Sequence, residues 1–311
     1  MKDHPQAVAP PLISPDEFAT VADLLKRMTG IHIGSNKRAM VSGRLAKRLK
    51  ALEIDSVDVY CTWLQQPGNA AEQDAFISAL TTNMTRFNRE DHHFIHLADH
   101  ILPGLAAAAR AGGRIRLWSA ACSTGEEAYD LAFRMLDACP EAAQLNLRIL
   151  ATDIDKSALS IARAGIYPAA SLGDLPDGFA DRHLERGAGA NGMARVAQGA
   201  RDLITFRCLN LNGEWPFKGG FDVIMCRNVT IYFDEDTQAR LWQRLADRIL
   251  PGGALYIGHS ELLPESIAMR FTQQERGAFC LPPDAPPRTQ RRGADLNTAE
   301  AQRPDSNGGL G

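Results

Sequence analysis

Apolar positions divide the chain into a first part with helical spacing and a second part in which strand patterns alternate with helical ones. Up to about residue 90, apolar residues recur three and four positions apart, the period of a helix with one buried face. Three stripes have this spacing: Phe18, Val21, Leu24 and Leu25; Met40, Val41, Leu45 and Leu49; and Phe76, Leu80 and Met84. We therefore predict an all-helical domain over residues 15–90, followed by a linker helix and linker over residues 91–113.

The second part, residues 114–282, has the pattern of an α/β protein with a doubly wound parallel sheet. Short apolar runs alternate with amphipathic helical stretches, as this architecture requires. Predicted strands cover residues 114–118, 146–152, 203–208, 221–226, 254–258 and 278–281, and predicted helices include residues 128–136 and 234–249. A turn-rich stretch at 186–199 predicts a small antiparallel β insertion. We expect residues 1–14 and 283–311 to be disordered, because neither end has a packing face.

The segment between the first predicted strand and its helix, Trp118-Ser-Ala-Ala-Cys-Ser-Thr-Gly-Glu-Glu127, is typical of a ligand-binding loop. Its residues are nearly all small, so its backbone can approach a bound molecule, and Gly125 has no side chain at the tightest point. Glu126 and Glu127 begin the helix, where carboxylates also favour the helix dipole. We expect Glu126 to face the ligand. Asp153 ends the second strand at the same edge, where its carboxylate can accept both hydroxyls of a ribose.

Further polar residues follow the next two strands, at the edge where ligands of open sheets bind. They are Asn210 and Leu211 after the third strand, and Arg227, Asn228 and Val229 after the fourth. The loop after the first strand lacks the Gly-x-Gly-x-x-Gly pattern that seats the pyrophosphate of a dinucleotide. A nucleoside without phosphates fits better, and S-adenosylmethionine, with S-adenosylhomocysteine as its product, is the common ligand of that kind.

Composition and charge exclude several classes of protein. A net charge of −3 and a pI near 6.2 argue against general nucleic-acid affinity. The chain has no apolar run as long as a membrane span and no signal peptide, so we expect a cytoplasmic protein without direct membrane insertion. Its 6 cysteines are scattered, which indicates reduced thiols rather than a disulfide frame or a zinc site. Nothing in the sequence indicates an oligomer, so we expect a monomer.

Six motifs in a fixed order resemble those of the chemotaxis receptor methyltransferase family, CheR type. They are Thr82-Asn-Met-Thr-Arg-Phe-Asn-Arg-Glu90, His92-His-Phe94, Ser123-Thr-Gly-Glu-Glu127, Thr152-Asp-Ile-Asp155, Cys226-Arg-Asn-Val-Thr-Ile-Tyr-Phe233 and Gly258-His-Ser-Glu261. The resemblance covers about residues 18–281. It implies a helical amino-terminal domain, a Rossmann-like class I methyltransferase sheet and a small β insertion. The implied reaction is methyl-ester formation on glutamate side chains of the cytoplasmic helices of methyl-accepting chemoreceptors, with S-adenosylmethionine as donor.

The resemblance also implies roles for single residues. Asn83, Thr85 and Arg89 would close over the cofactor, and Tyr232 would lie near the reactive sulfonium. Arg89 and Tyr232 are the candidates for catalysis, because a guanidinium can hold a carboxylate in two hydrogen bonds and a phenol can donate one. Asn88 departs from the family pattern, where a phenylalanine is usual. Because that aromatic would pack over the cofactor, a non-catalytic S-adenosylmethionine-binding regulatory module stays open as an alternative.

Two groups of charged or ionisable residues fall outside these motifs. A stretch without any acidic residue predicts a docking surface for acidic receptor helices. It contains Lys37, Arg38, Arg44, Lys47, Arg48 and Lys50. His92, His96 and His100 recur every four residues and so share one helical face, which leaves a metal-binding protein as the alternative from another class. No acidic residue shares that face and no His-Glu-x-x-His motif is present, so we expect no metal.

Overall fold

The structure of the protein is a computed structural model that describes residues 12–185 and 192–285. Most of the two ends for which we expect disorder lie outside the described residues, as do residues 186–191 of the predicted insertion. Within the part of the chain that the structure describes, no helix has the length and apolar character needed to cross a membrane.

A helical unit forms the first part of the molecule, as the apolar stripes predict. Its helices are α1 (Pro15–Thr29), α2 (Arg38–Ala51), α3 (Val57–Leu64) and α4 (Ala70–Leu80). Ser14 and Glu17 exchange hydrogen bonds in a capping box that starts α1. Three apolar stripes meet in one core, which contains Val21, Leu25, Val41, Leu45, Phe76 and Leu80. Met84 is the exception: it lies beyond α4, and 84% of it is exposed.

A nearly continuous helical stretch joins this unit to the sheet. It consists of α5 (Asp91–His96), a π-helical turn (Leu97–Ile101) and α6 (Leu102–Arg110). Of the predicted linker helix and linker over residues 91–113, the helical part thus extends through the alanine-rich sequence to Arg110. Alanine has the highest helix propensity, and Ala106 and Ala109 are buried against the core of the sheet.

The second unit is a twisted sheet with helices on both faces. Its described strands are β1 (Ile115–Ala120), β2 (Leu147–Asp153), β3 (Ile166–Pro168), β4 (Met193–Arg195), β5 (Ile204–Cys208), β6 (Phe221–Cys226), β7 (Ile249–Ile257), β8 (Thr272–Glu275) and β9 (Ala278–Cys280). Its described helices are α7 (Glu126–Ala138), α8 (Lys156–Ala164), α9 (Phe179–His183), α10 (Gln198–Leu203), α11 (Glu235–Ala246) and α12 (Glu265–Ala268). The main sheet has the order β5-β2-β1-β6-β7-β9-β8. Its first five strands are parallel, and β9 and β8 add an antiparallel edge, which confirms the predicted fold class.

Two details of the sheet differ from the sequence prediction. We predicted a strand over residues 254–258, but β7 begins at Ile249 and runs through residues 250–253 with a register shift opposite Phe221 and Val223. A Pro-Gly-Gly sequence is thus accommodated as an irregularity within the strand. The small antiparallel sheet pairs β4 with β3, which lies well before residues 186–199. The inserted element is therefore built from a longer stretch of chain than the turn-rich segment alone.

Candidate active site

A cavity of about 510 Å³ lies where the helical unit meets the carboxyl ends of the parallel strands. Cavities of this size, within a range of about 300–1,000 Å³, hold cofactors and other small molecules. Most of the predicted site residues line it: Asn83, Thr85, Arg89, Asp153, Asn210, Leu211, Arg227, Asn228, Val229 and Tyr232. The helical unit adds Ile31, Ile33 and Met40. The structure thus gathers into one cavity side chains that are far apart in the sequence.

The loop after β1 has an unusual backbone. Ala121 and Ser123, neither of them glycine, have φ values of 66° and 50°. Such left-handed residues carry strain that the surroundings must hold in place. Gly125, with φ at 101°, does not serve the purpose that we expected. A Cβ there would lie 2.7 Å from the Cβ of Ala162 and 3.0 Å from the Tyr167 hydroxyl, so the glycine permits close packing within the fold rather than the approach of a ligand.

The two carboxylates at the start of α7 take the opposite roles to those we predicted. Glu127, not Glu126, lines the cavity. Glu126 is buried and accepts a hydrogen bond of 2.6 Å from the Thr124 hydroxyl. Glu127 accepts one of 2.7 Å from the Ser119 hydroxyl and lies 3.6 Å from Arg227 Nη1. Burial raises the pKa of Glu127, while the charge of Arg227 acts in the other direction.

Asp153 lies at the carboxyl end of β2 and is 7% exposed. Its Oδ1 accepts the backbone N–H of Asp155 and its Oδ2 that of Ser123, each at 2.8 Å. Burial raises the pKa of Asp153 to about 6, and these backbone donors limit the rise. A carboxylate oxygen has about two acceptor sites, so each oxygen keeps one for a further donor. The Asp153 carboxylate therefore holds the loop after β1 in place and still offers two free acceptor sites to a ligand in the cavity.

The segment over residues 81–90 forms one wall of the cavity and begins at a buried carboxylate. Asp155, which caps α8, accepts hydrogen bonds from the Thr81 hydroxyl at 3.1 Å and from Asn83 Nδ2 at 2.6 Å. The Asn83 carbonyl in turn accepts the Ser123 hydroxyl at 3.1 Å. Asn83 thus lines the cavity but commits its amide nitrogen to holding the two units together.

The same segment ends in a turn that explains Asn88. Asn88 and Glu90 have φ values of 53° and 55°, and asparagine tolerates this left-handed conformation better than most residues. Its backbone N–H donates to Asp130 at 2.7 Å, and its side-chain oxygen accepts from Arg134 at 2.8 Å. Asn88 is absent from the cavity lining, and its side chain is bound to α7. The departure from the family pattern therefore removes no aromatic from the cavity in this chain, since the buried ring belongs to Phe87.

Behind this turn lies a row of buried charges. Glu90 accepts hydrogen bonds from His259 Nδ1 at 2.8 Å and from Asn228 Nδ2 at 3.1 Å, and its other oxygen lies 3.7 Å from Arg227 Nε. Burial acts to raise the pKa of Glu90, but these contacts outweigh it and lower the pKa to about 2. Burial raises the pKa of Asp130 to about 7, against the opposing effects of the Asn88 N–H and of Arg134. The pKa of Glu90 is therefore lowered, whereas that of Asp130 is raised.

The opposite wall, over residues 227–233, depends on a residue to which we assigned no role. The buried carboxylate of Glu261 accepts the backbone N–H groups of Asn228, Val229, Thr230 and Gly258 and the Thr230 hydroxyl, at 2.7 to 3.0 Å. Asn228 has a φ of 57°, so this acceptor holds a strained turn. The Gly-His-Ser-Glu motif was the available signal, but the residues of the wall that Glu261 binds lie 31 to 33 positions before it in the sequence.

Asn210 connects the site to the helical unit. Its side-chain nitrogen donates to the Met28 carbonyl at 3.0 Å, and its side-chain oxygen accepts the Asn212 N–H at 2.9 Å. Asn212 donates in the same way to the Thr29 carbonyl at 2.9 Å. The carbonyls in the last turn of a helix receive no hydrogen bond from within the helix, and here the two asparagine side chains supply those bonds to α1. The amide of Asn210 is thus used in attaching α1 to the sheet.

Tyr232 lies in the cavity wall beside a cation. Its backbone carbonyl accepts the His32 N–H at 2.8 Å, and Lys37 Nζ lies 5.4 Å from the centre of its ring. Arg89 lines the same cavity, and its Nη1 donates to the Met84 carbonyl at 3.0 Å. Two cationic side chains and a phenol therefore share one cavity, which suits it to a ligand or substrate that carries a carboxylate.

Two members of the predicted docking surface on α2 form contacts within the helical unit. Arg44 donates to the carbonyls of Ala79 and Thr81, at 3.2 and 2.7 Å. Arg48 forms an ion pair with the buried Glu72, which also accepts the Tyr60 hydroxyl at 2.7 Å. These two arginines join α2 to α4 and the segment that follows it, and their role in docking a partner stays a prediction. The other members differ: Lys47 is exposed, Arg38 is partly exposed and Lys37 lines the cavity.

The predicted histidine face is used for hydrogen bonds within the protein. His92 Nε2 lies 3.3 Å from the Arg276 carbonyl, and His96 Nδ1 lies 2.9 Å from the Tyr256 hydroxyl. The rings of His96 and His100 are 5.0 Å apart. Among residues 12–185 and 192–285, no group of three or more histidine, cysteine, aspartate or glutamate side chains is arranged to hold a metal ion.

Comparison with known families matches almost the whole described chain. The CheR methyltransferase all-alpha domain matches residues 16–81, and the CheR methyltransferase SAM binding domain matches residues 83–278. A probable chemotaxis protein methyltransferase from Rhizobium etli is 46% identical over 233 residues, which are 75% of this chain and 87% of the relative. A chemotaxis protein methyltransferase from Salmonella typhimurium is 38% identical over 274 residues, 88% of this chain and 92% of the relative.

Fold, cavity and matches together define an S-adenosylmethionine-dependent methyltransferase. The chain belongs to the CheR methyltransferase family, which confirms the resemblance seen in its motifs. The cofactor is therefore S-adenosylmethionine, as the loop without a dinucleotide fingerprint predicted.

The buried polar atoms of the cavity fit this cofactor. Arg227 Nη1 and Asp130 Oδ1 are buried and have no hydrogen-bond partner among the described residues, and both side chains line the cavity. A buried polar atom without a hydrogen bond is costly, so a ligand that supplies that bond gains affinity. S-adenosylmethionine carries a carboxylate and an ammonium group at one end and a ribose at the other. The Arg227 nitrogen and the Asp130 oxygen that lack a hydrogen bond, together with the Asp153 acceptors, match those groups in kind.

Proposed function

We propose that the protein methylates glutamate side chains on the cytoplasmic helices of chemoreceptors, working in the cytoplasm as a monomer. The observation that supports this best is the presence of Arg89, Lys37 and Tyr232 in the cavity of an S-adenosylmethionine-dependent enzyme. These groups attract and orient a carboxylate substrate. The relatives are named as chemotaxis protein methyltransferases, which supports a role in chemotaxis signalling.

Methyl transfer to a carboxylate needs alignment more than proton transfer. A glutamate side chain, with a pKa of about 4.3 in model peptides, is already ionised at neutral pH. Bound S-adenosylmethionine supplies an activated methyl group. We assign to Arg89 the binding of the incoming carboxylate and to Tyr232 a hydrogen bond that fixes its direction. Holding reacting groups in the correct geometry can remove a large part of a reaction barrier.

The remaining cavity residues are proposed to bind the cofactor. Asp153 accepts the ribose hydroxyls with the two acceptor sites that its backbone donors leave free. Arg227 and Asp130 bind the charged end through their unpartnered atoms, and Glu127 adds a second carboxylate there. The other lining residues shape the walls, and they are Asn83, Thr85, Asn210, Leu211, Asn228 and Val229. These proposed cofactor-binding residues differ from those predicted from the sequence in that Glu127 takes the place of Glu126.

Docking of the acidic receptor helix is proposed to involve the basic side chains that α4 does not use. Lys37 and Arg38 stand at the start of α2, and Lys47 is exposed further along it. Opposite charges on two partners mainly accelerate encounter and fix orientation, so this contribution depends on salt concentration.

The test is transfer of labelled methyl from S-adenosylmethionine to membranes that contain a chemoreceptor, scored as base-labile label released as methanol. We expect release with the wild-type protein and severe loss with Asp153→Asn. Asp181→Asn, a change at an exposed aspartate outside the cavity, is the matched control and should keep full activity. Tight cofactor binding without any labelled receptor would contradict carboxyl methylation and favour a regulatory module.

A further inference from the structure

Two large apolar side chains at the cavity are exposed to solvent. Met84 is 84% exposed and Ile231 is 51% exposed, and both line the cavity. Single exposed apolar residues are common and need no explanation. These two share one cavity with the basic side chains of Lys37, Arg86 and Arg89, while the cavity's carboxylates, Glu127, Asp130 and Asp153, belong to the part to which we assign the cofactor. We call Met84 and Ile231 the apolar pair.

Hydrogen bonds hold the chain close to each of the two residues. Met84 follows Asn83, whose side chain is bound by Asp155, and its own carbonyl accepts Arg89 Nη1. Ile231 lies between Thr230, which is bound by Glu261, and Tyr232, whose carbonyl accepts the His32 N–H. These bonds fix the backbone at both positions, and both side chains are exposed, so the apolar pair is available for contact with a partner.

We propose that the apolar pair binds apolar neighbours of the target glutamate on an amphipathic acidic helix, and so selects which glutamates are methylated. This inference rests on the proposed function. On a helix, side chains three or four positions apart lie about 5–6 Å from each other, so an acidic residue and an apolar residue can enter one site together. The basic residues around the apolar pair favour an acidic helix over an uncharged one.

The test compares serine substitutions in the apolar pair with matched substitutions elsewhere. Met84→Ser, Ile231→Ser and the double variant are assayed with chemoreceptor-bearing membranes for KM and kcat, and separately for the dissociation constant of S-adenosylmethionine. The controls are Met269→Ser and Ile95→Ser, at side chains that are 76% and 54% exposed and do not line the cavity.

We expect the double variant to raise KM for the receptor about tenfold, since burial of apolar side chains contributes affinity of this order. Cofactor affinity and kcat should stay close to the wild-type values, as should every parameter of both controls. Unchanged cofactor affinity also shows that the variant is folded.

Three results would overturn the inference. The first is an unchanged KM in the double variant. The second is weakened cofactor binding at unchanged KM, which would mean that the apolar pair covers the cofactor. The third is binding of the wild-type protein to receptor-free anionic vesicles that the double variant loses, which would assign the surface to lipid. Failure of the wild-type enzyme to label any receptor is a different result, because it contradicts the proposed function itself and the inference with it.

Discussion

The two walls of the cavity are fixed in different ways. Along residues 227–233, one buried carboxylate, Glu261, binds the backbone of three consecutive residues. The wall over residues 81–90 is held near its two ends, by Asp155 at the start and by Asp130 at the turn. Arg89, to which we assign chemistry, lies at a fixed end. Met84, to which we assign recognition, lies between the fixed ends. Each wall carries one residue to which we assign chemistry, Arg89 or Tyr232, and one to which we assign recognition, Met84 or Ile231, so the two walls can be perturbed separately.

Loss of the Glu261 carboxylate should have the largest effect, because it breaks one wall completely. Glu261→Ala leaves several buried backbone donors without an acceptor, which we expect to cost about 3 kcal/mol or more of the free energy of unfolding. Denaturant unfolding measures this cost, and cofactor binding should weaken as well. Glu265→Ala, at an exposed glutamate four residues away, should leave both unchanged. A small effect of Glu261→Ala would show that the wall does not depend on this acceptor.

Loss of the Arg89 side chain should leave the fold intact and slow the reaction. We expect Arg89→Ala to lower kcat about a hundredfold, the order of effect that follows from losing the alignment of a reacting group. Turnover is measured with receptor-bearing membranes, and circular dichroism checks the fold. Arg182→Ala, on an arginine paired with Asp137 outside the cavity, is the control. Near-normal turnover of Arg89→Ala would remove this residue from the mechanism.

The carboxylate that holds the end of the second wall should make stability depend on pH in an unusual direction. The pKa of Asp130 is raised to about 7, so the folded protein binds this proton more tightly than the unfolded chain does. Its contribution to stability must therefore fall as pH rises from about 4 to about 7. The free energy of unfolding of the wild type minus that of Asp130→Asn should decrease over this window. A difference that is flat or rising would contradict the raised pKa.

The smallest effect is expected outside both walls, on α2. Lys47→Glu should raise KM for the receptor about threefold at low salt and less at high salt, because exposed charges are screened. Arg48→Ala should behave differently. It leaves the buried Glu72 without its ion pair, so it should lower the free energy of unfolding rather than alter docking alone. If both changes raised KM for the receptor equally, the result would support the full basic docking surface that we predicted from the sequence.

The sequence was sufficient to predict the sheet and the edge where the site lies. Strands followed by polar residues placed Asp153, Asn228 and Tyr232 near one another, because carboxyl ends of parallel strands share an edge. The alternation of strands and helices predicted the order of elements, and the missing dinucleotide fingerprint indicated the cofactor correctly. These predictions depend on short patterns within the sequence, a strand followed by polar residues and then a helix, which recur along the sheet.

The errors occur where a side chain's direction depends on packing between distant segments. Adjacent residues of a helix point about a quarter turn apart, so the start of α7 decides whether Glu126 or Glu127 faces the cavity. Similarly, Arg44 donates to the Thr81 carbonyl just after α4, and Arg48 forms an ion pair with Glu72 on α4. The spacing of basic residues on α2 cannot reveal these contacts. Met84 continues the periodicity of α4 in sequence, but the chain has already left the helix.

The last turn of α1 ends at carbonyls whose donors come from the other unit, the side chains of Asn210 and Asn212. When the hydrogen bonds at the end of a helix come from a neighbouring unit, its last turn is stabilised only while the two units are associated. Because Asp155 binds residues at the end of α4 as well, both borders of the helical unit depend on the sheet. The two units should therefore unfold in a single cooperative transition, with native-state hydrogen exchange equally slow at the end of α1 and in β2.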